Sequence, residues 1–265
     1  MYLKTAFGLL LFSAMQASAS IGYAITQSEL LGTINLSTGV FTSVGTTEVG
    51  STPEVLAGLG EAGGILYGAG GANDDTLYQI NTTNGALTAL GAAATIEYSA
   101  FGSTLGTLYG ISTTGSLYSI NPTNGATTLV GSTGLTNAGD VSLSTGSNTL
   151  YFADYNGGYQ LYTLNLSTGA ATLVGATSTP IGALMWNGTS VLYGVQDSPD
   201  TVSVDTVSTT NGAVTVGSAV TGTGANIFGL APIITTPEPA SWGLLGAGMA
   251  LMMISRARRG SSIKS

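Results

Sequence analysis

The sequence predicts an all-β fold, a five-bladed β-propeller whose last strand completes the first blade. Three observations carry this expectation. A four-strand pattern repeats about every 42 residues, Asn-Gly and Thr-Gly turns mark each repeat, and an unpaired strand pattern near residue 230 supplies the strand that the first repeat lacks.

The repeat is visible in "LYQINTTNGALTALG" from Leu77, "LYSINPTNGATTLVG" from Leu117 and "LYTLNLSTGAATLVG" from Leu161. "LGTINLSTGVFTSVG" from Leu31 fits the same frame, and "VDTVSTTNGAVTVG" from Val204 fits loosely. A second motif precedes each unit, and its tyrosines stand at Tyr23, Tyr67, Tyr109, Tyr151 and Tyr193, spaced by 44, 42, 42 and 42 residues. Segments such as "TLYQI" alternate polar and apolar residues, as half-buried strands do. The turn glycines are Gly39, Gly85, Gly125, Gly169 and Gly212. Asn bonds its own backbone there, and Gly accepts the left-handed conformation. Short apolar stretches, "VLAGL", "YSAFG", "DVSLS" and "IGALM", precede the tyrosine motifs and bring each unit to four strands. The chain enters the pattern at Tyr23, in the second strand of a blade. "NIFGL", Asn226 to Leu230, is the missing inner strand. These repeats loosely resemble bacterial propellers of the quinoprotein-like superfamily. The Trp docking motifs of those enzymes are absent, so no cofactor follows from the resemblance.

Composition excludes several function classes. The chain has 265 residues with no Cys and no His. Disulfides, thiol chemistry, Ser-His-Asp and Cys-His catalysis and the usual zinc sites are ruled out. Lys4, Arg256, Arg258, Arg259 and Lys264 are all the basic residues, and all lie in the terminal segments. Twelve of the thirteen acidic residues fall between Ser20 and Thr236. Such a surface repels nucleic acid, whose binding needs Lys and Arg to displace counterions.

The two ends read as addresses. Lys4, an apolar run over Ala6–Met15 and Ala17-Ser18-Ala19 form a secretory signal peptide over residues 1–19, with cleavage between Ala19 and Ser20. The propeller domain is expected over 20–232. A linker over 233–239 contains Pro237-Glu238-Pro239 and leads to the uncharged run Ala240–Ser255. As a helix these 16 residues reach about 24 Å, short of a bilayer core of about 30 Å but able to span with Trp242 at one interface and arginines at the other. Arg256, Arg258 and Arg259 hold that end in the cytoplasm, which puts the domain on the side that the signal peptide demands. The hydrophobic helix with its arginines covers 240–259, and a short tail covers 260–265.

Pro237-Glu238-Pro239, the apolar helix and the arginine cluster, in this order, resemble a PEP-CTERM sorting signal. The resemblance covers about 25 residues at the C-terminal end. It implies recognition by an exosortase, a membrane protease-transpeptidase of Gram-negative bacteria that make exopolysaccharide. It further implies processing near the Pro-Glu-Pro and release to the outer envelope or extracellular matrix. Export machinery, the exosortase, and an exopolysaccharide or matrix protein are the expected partners, with transient membrane insertion of the tail.

Antiparallel blades put the acidic residues on one face. Glu29, Asp74, Asp75, Asp154, Asp197 and Asp200 fall between second and third strands, and Glu48, Glu54, Glu97 and Asp140 fall between or at the mouths of blades. Glu61 belongs to the opposite face and Asp205 to a strand. Carboxylates without basic neighbours suit a hard cation such as Ca²⁺. Asp74 and Asp75 after Asn73, and Asp197 and Asp200 in "DSPD", are the candidate ligands. A carboxylate-dependent glycosidase is the alternative function, with Trp186 as the domain's indole platform for a sugar. Asn35, Asn81, Asn165 and Asn187 stand in glycosylation-like triplets. The first three occupy repeat turns, where the turn itself explains them. The expected function is a non-enzymatic binding or scaffold protein.

Overall fold

The computed structural model describes residues 21–71, 76–91, 96–135, 141–147, 149–154, 158–187, 191–196 and 202–233. Residues 1–20 and 234–265, which include the stretches read above as a signal peptide and a sorting tail, lie outside them. Among the described residues every regular element is a strand, and no helix is long and apolar enough to cross a membrane.

Five four-stranded antiparallel units follow one another along the chain. Unit one holds β1 (Ile21–Thr26), β2 (Leu30–Asn35) and β3 (Phe41–Thr46). A small hairpin, β4 (Glu48–Val49) with β5 (Thr52–Pro53), leads to unit two: β6 (Leu56–Ala62), β7 (Ile65–Gly70), β8 (Leu77–Ile80) and β9 (Leu87–Leu90). Unit three is β10 (Tyr98–Thr104), β11 (Thr107–Ser112), β12 (Ser116–Ile120) and β13 (Thr127–Ser132). Unit four has β14 (Val141–Leu143) and β15 (Thr145–Ser147), then β16 (Tyr151–Asp154), β17 (Gln160–Leu164) and β18 (Ala171–Ala176). Unit five is β19 (Ile181–Trp186), β20 (Leu192–Gln196), β21 (Ser203–Val207) and β22 (Val214–Ala219). The final strand, β23 (Ile227–Pro232), pairs antiparallel with β1 in the order β23-β1-β2-β3, so unit one takes its innermost strand from the far end of the chain.

The turn chemistry explains the spacing of the repeat. Oδ1 of Asn35, Asn81, Asn121 and Asn165 accepts the backbone N–H two residues on. Gly39, Gly85, Gly125 and Gly169 then adopt φ between 70° and 84° and donate their N–H back to the same Asn carbonyl at 2.8–2.9 Å. In unit five Ser208 takes the place of Asn, with its Oγ accepting from Thr210 N–H at 3.3 Å. Three triplets read as possible glycosylation acceptors, at Asn35, Asn81 and Asn165, therefore have their side-chain oxygens in turn hydrogen bonds.

The units are cemented by five apolar clusters, each built from two adjacent units. Ile25 and Leu31 meet Leu56, Leu59, Tyr78 and Ile80 between units one and two. Tyr67 and Leu77 meet Tyr98, Phe101 and Leu108 between two and three. Ile111 and Leu117 meet Phe152, Tyr162 and Leu164 next. Tyr151 and Leu161 then meet Ile181, Leu184 and Val207. The fifth cluster joins Met185, Val195 and Val204 of unit five to Ile34, Phe41 and Leu230 of unit one, which returns the series to its start. The core is thus a set of wedges, and a single unit buries its apolar faces only against its neighbours.

The innermost strands close the same cycle: β23 lies beside β6, then β10, β14 and β19 follow, and β19 lies beside β23. They do not form one hydrogen-bonded sheet; β6 and β10 share a single parallel pair, Phe101 with Gly58. The outer wall closes too. Ser218 Oγ donates to the Ser37 carbonyl at 2.8 Å, Thr221 N–H to Gly39 at 3.0 Å, and Phe41 N–H to Thr221 at 2.8 Å.

Two features depart from the even repeat. The β4–β5 hairpin is held by buried Thr47, whose hydroxyl lies 3.1 Å and 2.9 Å from the carbonyl oxygens of Glu29 and Glu54. In unit four the inner strand breaks at Ser144, and β15 pairs in parallel with β10. Ser144 Oγ accepts from Tyr151 N–H at 2.9 Å, which turns the chain away from a regular strand.

Candidate functional site

The two ends of the sheets differ in chemistry. Glu29 stands between β1 and β2, Glu48 and Glu54 at the β4–β5 hairpin, Glu97 before β10, and Asp154 ends β16. Antiparallel connectivity puts these five at the ends of the strands opposite the tight turns of their own units, as the sequence reading expects; at the rim Glu48 also pairs with Ala86, beside the β8–β9 turn of unit two. The other face carries the tight turns β6–β7, β8–β9 and their counterparts. Glu61 lies there, and its carboxylate accepts the Gly64 N–H. Asp74, Asp75, Asp140, Asp197 and Asp200 lie outside the described residues, as do Ala19, Ser20, Pro237, Glu238, Pro239, Arg256, Arg258 and Arg259. Among the described residues no three His, Cys, Asp or Glu side chains group to hold a metal.

Asp205 is a carboxylate inside the fold. It sits on β21 where units two to four carry Tyr78, Tyr118 and Tyr162, and it is fully buried. Oδ1 accepts the Gly217 N–H at 3.0 Å across a bulge in the β21–β22 ladder, while Oδ2 has no partner among the described residues. The sequence shows the substitution in the repeat. Its complete burial appears only in the folded chain.

Trp186, expected as a sugar platform, stacks on Tyr151 with ring centroids 6.3 Å apart and an interplanar angle of 13°. It also packs against the cluster between units four and five. One face of the indole is therefore an interior contact.

Sequence reasoning missed the grooves on the tight-turn face. One of about 350 Å³ is lined by Gly64, Ile65, Gln79, Asn81, Thr82 and Thr88. Another of about 490 Å³ is lined by Val191, Thr206, Ser208, Thr210, Asn211 and Thr215. Both offer hydroxyls, amides and aliphatic carbon with no charge, so their chemistry is hydrogen bonding and contact, with no acid or base.

The repeated tyrosines supply a titration signature. Burial pushes the phenols of Tyr67, Tyr109 and Tyr162 above the ordinary tyrosine range. Glu61 adds to the rise at Tyr67, Asp154 adds to it at Tyr162, and a hydrogen bond with Thr107 partly offsets it at Tyr109. An unfolded tyrosine loses its proton near pH 10, at about the reference value. Above that pH the folded state holds more protons than the unfolded state, so stability falls as pH rises toward the raised folded values. Their contribution is fully present below pH 10. Urea melts from pH 8 to pH 11 are expected to show this alkaline loss, and Tyr67→Phe is expected to flatten part of it. An unchanged slope in Tyr67→Phe would remove Tyr67 from the account.

Comparison with known proteins is consistent with the repeat. A family described as "Repeat of unknown function (DUF6923)" matches residues 14–142. The same four-strand unit continues past residue 142 through β22. The search of curated proteins found no match. Among solved structures, the chain is similar to one in the crystal structure of a nidogen/laminin complex. The TM-score is 0.53 at 10% identity, over 81% of this chain and 98% of that one. A structural genomics protein of unknown function from Bacteroides thetaiotaomicron gives a TM-score of 0.52 at 14% identity, over 82% of this chain and 66% of that one. At these identities the likeness concerns the fold alone. The chain is an all-β repeat protein with a propeller-like fold.

Proposed function

We propose that the protein is an exported five-bladed β-propeller with a velcro closure, sorted by a PEP-CTERM tail, that acts as a non-enzymatic binding or scaffold protein of the outer envelope or extracellular matrix. One observation carries the reading. Gly22 pairs with Pro232, so the chain enters and leaves the ring side by side on one face. Each of these two exits continues into an address segment, a signal peptide on one side and the Pro-Glu-Pro, apolar and arginine series on the other. A closed ring with both addresses on one face is a rigid cargo for export, cut free at both ends without loss of any strand.

Mass spectrometry of the mature protein from its native host, with the cell fraction recorded, tests this. The expected chain begins at Ser20, ends near Pro237–Pro239 and is recovered from the envelope or matrix. A mature chain that still ends at Ser265 overturns the sorting reading. Turnover of a polysaccharide that is lost on replacing one carboxylate of the acidic face would put a glycosidase in place of the scaffold.

A further inference from the structure

We infer that the seam between units one and two carries a binding site for a neutral, polyhydroxylated sugar chain, with Glu61 and Gln79 as contact residues. The inference deepens the binding role proposed above and rests on it.

The site grows from one repeated position. On the innermost strands Gly60 pairs with Tyr67, Gly102 with Tyr109, Met185 with Tyr193 and Ala231 with Tyr23. The next residue along is therefore Glu61 in unit two, Ser103 in unit three, Trp186 in unit five and Pro232 in unit one. Two of these side chains are committed to the fold. Ser103 is buried, and its Oγ accepts the Glu61 N–H at 2.9 Å. Trp186 stacks on Tyr151. Glu61 leaves its seam open: a cavity of about 60 Å³ lies between it and Tyr23, Gly64, Leu66, Thr82 and Pro232.

Gly64, Leu66 and Thr82 also line the groove of about 350 Å³ on unit two, so the two spaces adjoin. That groove falls within the size range of small-molecule sites, about 300–1,000 Å³. Glu61 Oε1 accepts the Gly64 N–H. Its Oε2, the Tyr23 hydroxyl, the Gln79 amide and the hydroxyls of Thr82 and Thr88 have no hydrogen bond to a described residue. This set matches a ligand that presents many hydroxyls. The carboxylate accepts from them, and the Thr and Tyr hydroxyls and the amide both donate and accept. Ile65 and Ile80 offer aliphatic carbon to the C–H faces of a sugar ring. No Lys or Arg stands between Ser20 and Thr236, so a polyanionic glycan is repelled. The described lining residues hold one carboxylate, and glycoside cleavage by carboxylates takes two, so this site binds without cutting.

Affinity electrophoresis of the full chain tests this, in a zwitterionic detergent that has no sugar headgroup. The gels contain dextran, galactomannan, a mixed-linkage β-glucan, alginate or chitosan. Retardation by at least one of the three neutral polymers is expected, and none by alginate. Glu61→Gln keeps an acceptor for Gly64 and is expected to weaken that retardation at least about tenfold, the scale of a lost charge-assisted hydrogen bond. Gln79→Ala, at an exposed position, is expected to weaken it several-fold. Thr215→Ala, in the unit-five groove, is expected to leave it unchanged. Circular dichroism melts confirm that each variant is folded. Retardation unaltered in both Glu61→Gln and Gln79→Ala overturns the site, and so does an equal loss in Thr215→Ala. Retardation by none of the neutral polymers overturns the ligand class, as does binding to chitosan alone that salt removes. New reducing ends released by the parent chain would instead overturn the non-enzymatic reading on which the inference rests.

Discussion

Removing Ile227–Pro232 from the chain is expected to abolish cooperative thermal unfolding. β23 is the innermost strand of unit one and lies against β6 and β19 as well as β1. Ile227, Leu230 and Ala231 are at most 1% exposed. Burial of a side chain such as Ile or Leu contributes about 1.5–3 kcal/mol, so the two large ones alone account for about 3–6 kcal/mol. The deletion also bares Ile25, Leu59 and Met185 and strips the β1 ladder of its inner partner. A domain is stable by about 5–15 kcal/mol in total, so the loss is comparable with the whole. Circular dichroism melts read it directly. A sharp transition near the parent temperature in the deleted chain would show that ring closure does not hold the fold.

Gly91→Ala is expected to destabilise the domain markedly more than Gly106→Ala. Both glycines hold positive φ, 76° and 71°, so both substitutions incur the left-handed cost of about 1–2 kcal/mol. At Gly106 an added Cβ meets nothing within 4 Å. At Gly91 it would overlap the carbonyl oxygen of Asn124, in the turn of the next unit. Backbone cannot rotate away as a side chain does, and displacing it costs about 1–3 kcal/mol more. Each kcal/mol lowers Tm by about 2–4 °C in a domain of this size. Equal losses in the two variants would mean that the seating of one unit's turn on the next is not a structural determinant.

The legible parts of this chain were those that depend on neighbours in sequence. Tyr67, Tyr109 and Tyr151 mark strands β7, β11 and β16 because strand alternation is local. Asn81-Thr82-Thr83-Asn84-Gly85 closes on itself through hydrogen bonds two to four residues apart. β23 was legible by arithmetic, since a four-strand unit that starts at its second strand needs one from elsewhere. The β4–β5 hairpin was not legible, because its anchor joins Thr47 to Glu29 across 18 residues and carries no period. The break after Leu143 was hidden for a similar reason: it depends on β15 reaching β10 of the preceding unit.

The candidate site was legible only in part. The segregation of acidic residues follows from strand alternation, and the described members agree with it. The uncharged grooves were invisible, since Gln79, Thr82 and Thr88 look like ordinary turn and strand residues until two turns flank them. Asp205 was visible as a departure from the tyrosine of the repeat, but its burial was not.

The sequence by itself determined the all-β class, the number of repeats and the turn at each repeat. These follow from side-chain periodicity, backbone preference and composition, which act over a few residues. Only the tertiary structure decided that five wedge-shaped clusters carry the core, that Gly22 and Pro232 lie side by side, and that Asp205 is fully buried. Those facts arise from burial between segments far apart in the chain, and burial has no period in the sequence to betray it.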